Sequence, residues 1–122
     1  MITSTLVNSS SITVPIRVFK STNTGAVGGT PITSAVTTIM ICNTSAITIN
    51  DETANSVNVN VYLVKSGGSY TPSNMVVNTL IVPAGETVFF SEERIVLDPN
   101  DEIWVGTSTS NAVAVTVSSL LV

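Results

Sequence analysis

Residues 56–68 read SVNVNVYLVKSGG, with Val57, Val59, Val61 and Leu63 alternating against Asn58, Asn60 and Tyr62 before a pair of glycines. Successive side chains of a strand point to opposite faces, so this period of two predicts a half-buried β-strand, valines inward and asparagines outward. Gly67-Gly68 then breaks the strand as a turn. The same grammar recurs outward in both directions. ITVPIRVFK (12–20) alternates Ile12, Val14, Ile16 and Val18. AVAVTVSSLLV (112–122) puts Val113, Val115 and Val117 on one face. Between them, AVTTIMICNTS (35–45) is a continuous apolar run, the pattern of a strand buried on both faces.

Composition supports the same class. The chain has 122 residues, 43% of them hydrophobic and only 10% charged. Its apolar residues are mostly Val and Ile, whose branched Cβ suits a pleated surface and disfavours a helix. Turn signals fall about every ten residues: STNTGAVGGTP (21–31), DETANS (51–56), PAGE (83–86), DPND (98–101) and STSN (108–111). The expected fold is all-β, an antiparallel β-sandwich or jelly roll of about eight strands with an extended N-terminal arm. Residues 1–20 form the arm or an edge strand, 21–31 a flexible loop and 32–122 the sandwich. Pro15 has no N–H to give a ladder, which places its strand at an edge. AITIN (46–50) either continues the preceding strand or begins the next. Asp98 and Pro99 are expected at the first two positions of a type I turn.

The inventory for chemistry is thin. There is no histidine, so the usual general base and the Ser-His and Cys-His arrangements are absent. Three acidic clusters remain: Asp51-Glu52, Glu92-Glu93 and Asp98 with Asp101-Glu102. Each lies at a turn, where carboxylates stay solvated. A lysin-like glycosidase would need two of them across a cleft. DPNDE lacks the ligand spacing of a calcium loop, and no glycine motif cradles a phosphate. The expectation is a non-enzymatic protein without cofactor or metal site. Cys42 is read as a small hydrophobe and Trp104 as a core anchor.

Four basic residues, Arg17, Lys20, Lys65 and Arg94, are scattered through a chain of net charge −4. A nucleic-acid backbone needs several on one face, so no nucleic-acid partner is expected. MITSTLVNSSS is not a signal peptide and no run is long enough for a membrane helix, so neither secretion nor a membrane is expected. The glycosylation triplets at Asn8 and Asn43 are then chance matches.

Low charge combined with high apolar content points to burial against a partner. In the pair Phe89-Phe90, an inward Phe89 leaves Phe90 outward, as a subunit contact. The candidate interface is Ile2, Leu6, Val7, Phe90, Leu120, Leu121 and Val122, the last three being equally readable as the end of a core strand.

Residues 57–122 carry a recognisable series: VNVYLVKSGG, NTLIVPAGETVFF, then RIVLDPNDEIWVGTSTSNAVAVTVSSLLV. The series resembles the small all-β structural proteins of tailed bacteriophage virions, in a YLV strand followed by a Gly-rich turn, an I-x-PAG corner, an IVL-x-(P/A)-(G/N)-D-x-I-x-V hairpin and a final V-x-V-T-V-S strand. Asn100 stands where glycine is usual, and asparagine also accepts left-handed angles. The resemblance implies a virion component, assembled in the host cytoplasm, whose partners are the major capsid protein or tail proteins. A capsid decoration or cement protein binding across capsid subunits is the leading expectation, as a homo-oligomer with a trimer among the options. A tail, neck or baseplate protein including a fibre adaptor, and a carbohydrate-binding adhesin module, are the alternatives. The arm would lend a strand to a neighbour's sheet edge.

Overall fold

The computed structural model describes residues 1–51 and 53–122. Glu52, paired above with Asp51, lies outside the described residues. Among these residues there are nine strands and a single 3-10 turn, Pro72–Asn74. The strands are β1 (Ile2–Leu6), β2 (Ile16–Lys20), β3 (Ser34–Asn43), β4 (Val57–Val64), β5 (Met75–Val82), β6 (Thr87–Phe90), β7 (Ile95–Leu97), β8 (Glu102–Thr107) and β9 (Val113–Leu121). They make two antiparallel sheets packed face to face. The first runs β1-β9-β3-β6, with β7 also on β3; the second runs β2-β8-β4-β5.

The core is the layer between the sheets, and valine fills most of it. Val57, Val59 and Val61 of β4 with Ile103 and Val105 of β8 meet Ile39 and Ile41 of β3 and Val113, Val115 and Val117 of β9, all at most 2% exposed. Each such side chain contributes roughly 1.5–3 kcal/mol by leaving water.

Most connections cross from one sheet to the other. The PAGE turn carries the chain from β5 in the second sheet to β6 in the first, and DPND carries it from β7 to β8. The two segments flanking DPND therefore do not form a hairpin with each other. The DPND turn itself is type II, because Asn100 at its third position has φ 69°.

Of the two readings of residues 1–20, the structure takes the edge strand in place of a free arm: β1 lies antiparallel on β9, with Ile2 opposite Ser118 and Leu6 opposite Ala114. Two further expectations need correction. The run 35–45 is not buried on both faces; β3 alternates, with a bulge at Thr37 between Val36 and Thr38. The segment 46–50 is loop, where Ile47 and Ile49 are 74% and 85% exposed. Pro15 does precede an edge strand, β2.

The asparagine face of β4 is only partly wet. The loop from Asn8 to Pro15 crosses the outer side of the second sheet, where the Ile12 carbonyl lies against Gly106, the residue opposite Asn60. Any Cβ at Gly106 would strike that carbonyl. Ser9 pins the loop: its hydroxyl lies 2.6 Å from the Ser11 carbonyl and 2.8 Å from that of Val14, and accepts the Thr107 N–H at 3.3 Å. Asn60 is 3% exposed, donates to the Ile12 carbonyl at 3.3 Å and accepts the N–H of Thr79 at 2.7 Å. Thr79 has φ 57° at an irregularity of β5, and this amide takes its N–H.

The two asparagines of the alternation should therefore differ. Asn60→Ala strands a buried N–H and is expected to cost about 1–3 kcal/mol, whereas half-buried Asn58→Ala should stay within about 0.5 kcal/mol. Urea denaturation of the two variants measures the difference.

Candidate functional site

Register decides what each face displays. Along the outer face of the first sheet the rows are Leu120–Ala35–Val96, Ile2–Ser118–Thr38, Ser4–Thr116–Met40–Phe89 and Leu6–Ala114–Cys42–Thr87. No Asp, Glu, Lys or Arg occurs in any of these rows. Ile2, Leu6, Phe89, Val96 and Leu120 on this face are each 51–69% exposed. Between them lie hydroxyls and small apolar groups, with Ser4 Oγ and Thr116 Oγ1 3.2 Å apart. Cys42 belongs to this outer face and is half-buried, so it is not a core residue.

Five of the seven candidate contact residues are surface groups. Ile2, Leu6 and Leu120 lie on the face, and Leu121 and Val122 lie exposed at its end. Val7 does not belong with them. Strand alternation carries it inward, and it is fully buried in the core. Phe90 is also misassigned: it pairs with the buried Ile39, so it turns inward and packs against the core, while Phe89 beside Met40 turns out. Phe90 with Ile39, Val61, Leu63, Val77 and Ile95 lines an apolar cleft of about 280 Å³ at the open side between β5 and β6. Sequence reasoning missed Phe89 and Val96. In a strand of three or four residues no local pattern fixes the phase, and the only usable signal was the partner strand.

The second sheet presents a different surface. Trp104 is not a core anchor; it lies on the outer side of β8 beside Tyr62 of β4 and Arg17 of β2. Tyr70, from the loop after β4, tilts over it with ring centroids 5.4 Å apart and meets Tyr62 edge-on at 5.9 Å. The Arg17 guanidinium sits 5.6 Å from the Trp104 ring centre. Glu102, 8% exposed, holds this group together. Its carboxylate accepts from Arg17 at 2.9 Å and from Trp104 Nε1 at 3.2 Å, and Lys20 Nζ approaches to 3.8 Å. Two of the four cations thus answer one buried carboxylate instead of forming a basic patch.

The remaining acids are dispersed. Glu92 and Glu93 sit exposed on the corner between β6 and β7. Asp101 is occupied by backbone, accepting from Ser66 N–H at 2.9 Å and Asp98 N–H at 3.0 Å. Among the described residues no group of three His, Cys, Asp or Glu side chains is placed to hold a metal ion. Nor is any helix among these residues long and apolar enough to cross a membrane. Comparison of the chain with protein-family models, with curated proteins and with solved structures finds no match.

Trp104 is the single tryptophan, so the aromatic group reports on itself. Tyr70→Ala should shift its fluorescence emission to the red and lower stability by about 1 kcal/mol through the lost ring contacts. An unmoved emission maximum would mean that Tyr70 does not cover the indole in solution.

Proposed function

We propose that the chain is a non-enzymatic structural protein of a tailed-bacteriophage virion, a decoration protein that docks on the protein shell through the outer face of its first sheet. The observation that carries the reading is that none of the four rows of that face holds a charged side chain, the corner Glu92–Arg94 bordering it beside Ala35 and Val96. A surface of exposed aliphatic and hydroxyl groups offers nothing to a phosphate backbone or an anionic lipid. It matches a partner surface that is itself uncharged and extended, as between packed protein subunits. The pattern over residues 57–122 supports the viral setting. The mechanism is mass action: a module that binds only the assembled shell stabilises it by the free energy of binding.

The contact does not require a free N-terminal arm. Removing residues 1–11 would strip an edge strand and the buried Val7, so the docking test belongs on the face.

A carbohydrate-binding module is the second reading, favoured by the half-exposed Tyr70–Trp104 pair beside Glu102. Arg17 already occupies part of the indole surface, which leaves less ring for a sugar. Saturable binding in a glycan screen, lost in Trp104→Ala, would establish it in place of docking.

Mass spectrometry of purified particles with stoichiometry tests the first reading. Copy numbers on the order of hundreds per particle fit a shell, and a few dozen or fewer fit a tail, neck or baseplate position. Phe89→Lys and Leu120→Lys should keep the fold, costing within about 0.5 kcal/mol, and reduce attachment to particles at least tenfold. A chain absent from particles, or attachment indifferent to both substitutions, would sink the proposal.

A further inference from the structure

An exposed strand edge displays unpaired N–H and C=O groups, and proteins that stay apart block such edges with charge, proline or a bulge. Three of the four edges here are blocked. β2 follows Pro15, carries Arg17 and Lys20 and is irregular between Arg17 and Phe19. β5 breaks register twice and holds Thr79 at positive φ. On the far side of the first sheet, β6 and β7 are separated by the exposed, charged corner Ser91–Arg94. The fourth edge, β1, has none of these devices. Its sequence ITSTL pairs with β9 over five residues without a register shift.

The free groups on β1 can be assigned. Ser119 N–H donates to the Met1 carbonyl at 2.8 Å and Val7 N–H to the Val113 carbonyl at 2.8 Å. In an antiparallel ladder the residues bonded to one neighbour alternate with those facing away. Met1, Thr3, Thr5 and Val7 therefore bond to β9, while the backbone groups of Ile2, Ser4 and Leu6 point out of the sheet. None of these three residues has a backbone partner elsewhere among the described residues. Of the excursion 21–31, Gly25 packs beneath, against the Thr3 methyl and the Phe19 ring, and Ala26 and Val27 line an open cleft with Ser4, while Ile2, Ser4 and Leu6 stay exposed.

We propose that this edge pairs with the same edge of a second copy, antiparallel about a two-fold axis through Ser4, joining the two first sheets into one. The occupant is argued from the self-complementarity of ITSTL. With Ser4 opposite Ser4, Ile2 of each chain falls opposite Leu6 of the other, and each of the three residue pairs exchanges both of its backbone bonds. Every outward-pointing group is then used and none is left over. The side chains of these residues share the outer face, so each Ile2–Leu6 contact is an apolar cross-strand pair. No charge is brought together at the seam, and repulsion between two bodies of charge −4 is screened beyond about 8 Å at physiological salt. A closed isologous contact of this kind stops at two copies. It also makes the two uncharged faces continuous. The pairing stands whether or not that face docks on a virion.

Sedimentation equilibrium of the full chain over a concentration series tests it. The weight-average mass should rise toward twice that of one chain. Ser4→Pro removes an N–H that makes no bond within the chain, so the β9 ladder is untouched; Ser4→Lys sets two like charges on the axis. Both should return the mass to that of one chain, with circular dichroism confirming the fold. Ser4→Cys should form a covalent dimer under mild oxidation, since hydrogen-bonded antiparallel partners stand about 5.5 Å apart at Cα; Leu120→Cys, exposed but away from the seam, should not. A single-chain mass maintained to about 1 mM, the weak end of measurable association, overturns the proposal. So does a dimer or trimer that survives Ser4→Pro and Ser4→Lys. Loss of particle attachment with the dimer intact would instead bear on docking alone.

Discussion

The contact between the valines of β4 and β8 and the β-branched rows of β3 and β9 is what the remainder of the structure hangs on. Neither sheet can keep its apolar face in water, and neither face is wide enough to be closed by a hairpin of its own. The chain meets this by crossing between the sheets at most turns, so that neighbours in sequence seldom pair and β1, β3 and β9 meet only through distant segments. Turn residues then serve the crossing. Asn100 and Gly85, both at positive φ, let DPND and PAGE swing the chain from one layer to the other.

Once the inner layer is filled, strand alternation determines the rest. Every residue between two inward valines is outward, and what covers it differs between the sheets. Over the second sheet, the loop 8–15 and the Tyr62–Tyr70–Trp104 group bury part of the outer face, with Glu102 drawing Arg17 and Lys20 onto it. Over the first, no other segment among the described residues returns to cover the rows between β1 and β7. The molecule therefore has one face that it finishes itself and one that it leaves uncharged and open. Its edges show the same asymmetry, three interrupted and β1 regular. An open face bordered by an open edge is the geometry on which the proposed reading as an assembly component rests.

The most buried carboxylate among the described residues, Glu102, is committed to a guanidinium and an indole N–H. Asp101 is committed to two backbone amides of adjoining turns. Glu102 organises surface rings from the start of β8, against the expectation that its cluster stays solvated at a turn, and Asp101 ties two turns together.

Class, strand positions and the inward set of β4 and β9 were legible in the sequence, because a period of two is a local property and long alternating segments leave one phase that buries valine. The phase of short or two-sided segments was not. Phe89 and Phe90 exchange roles according to whether Ile39 or Met40 lies opposite, and Val7 becomes core only because β1 lies on β9. Trp104 looked like core by size and proved to be surface by register. The uncharged face is likewise a tertiary fact. Its rows draw on residues from 2 to 120, and their shared lack of charge becomes visible only when hydrogen bonding between distant strands sets them side by side.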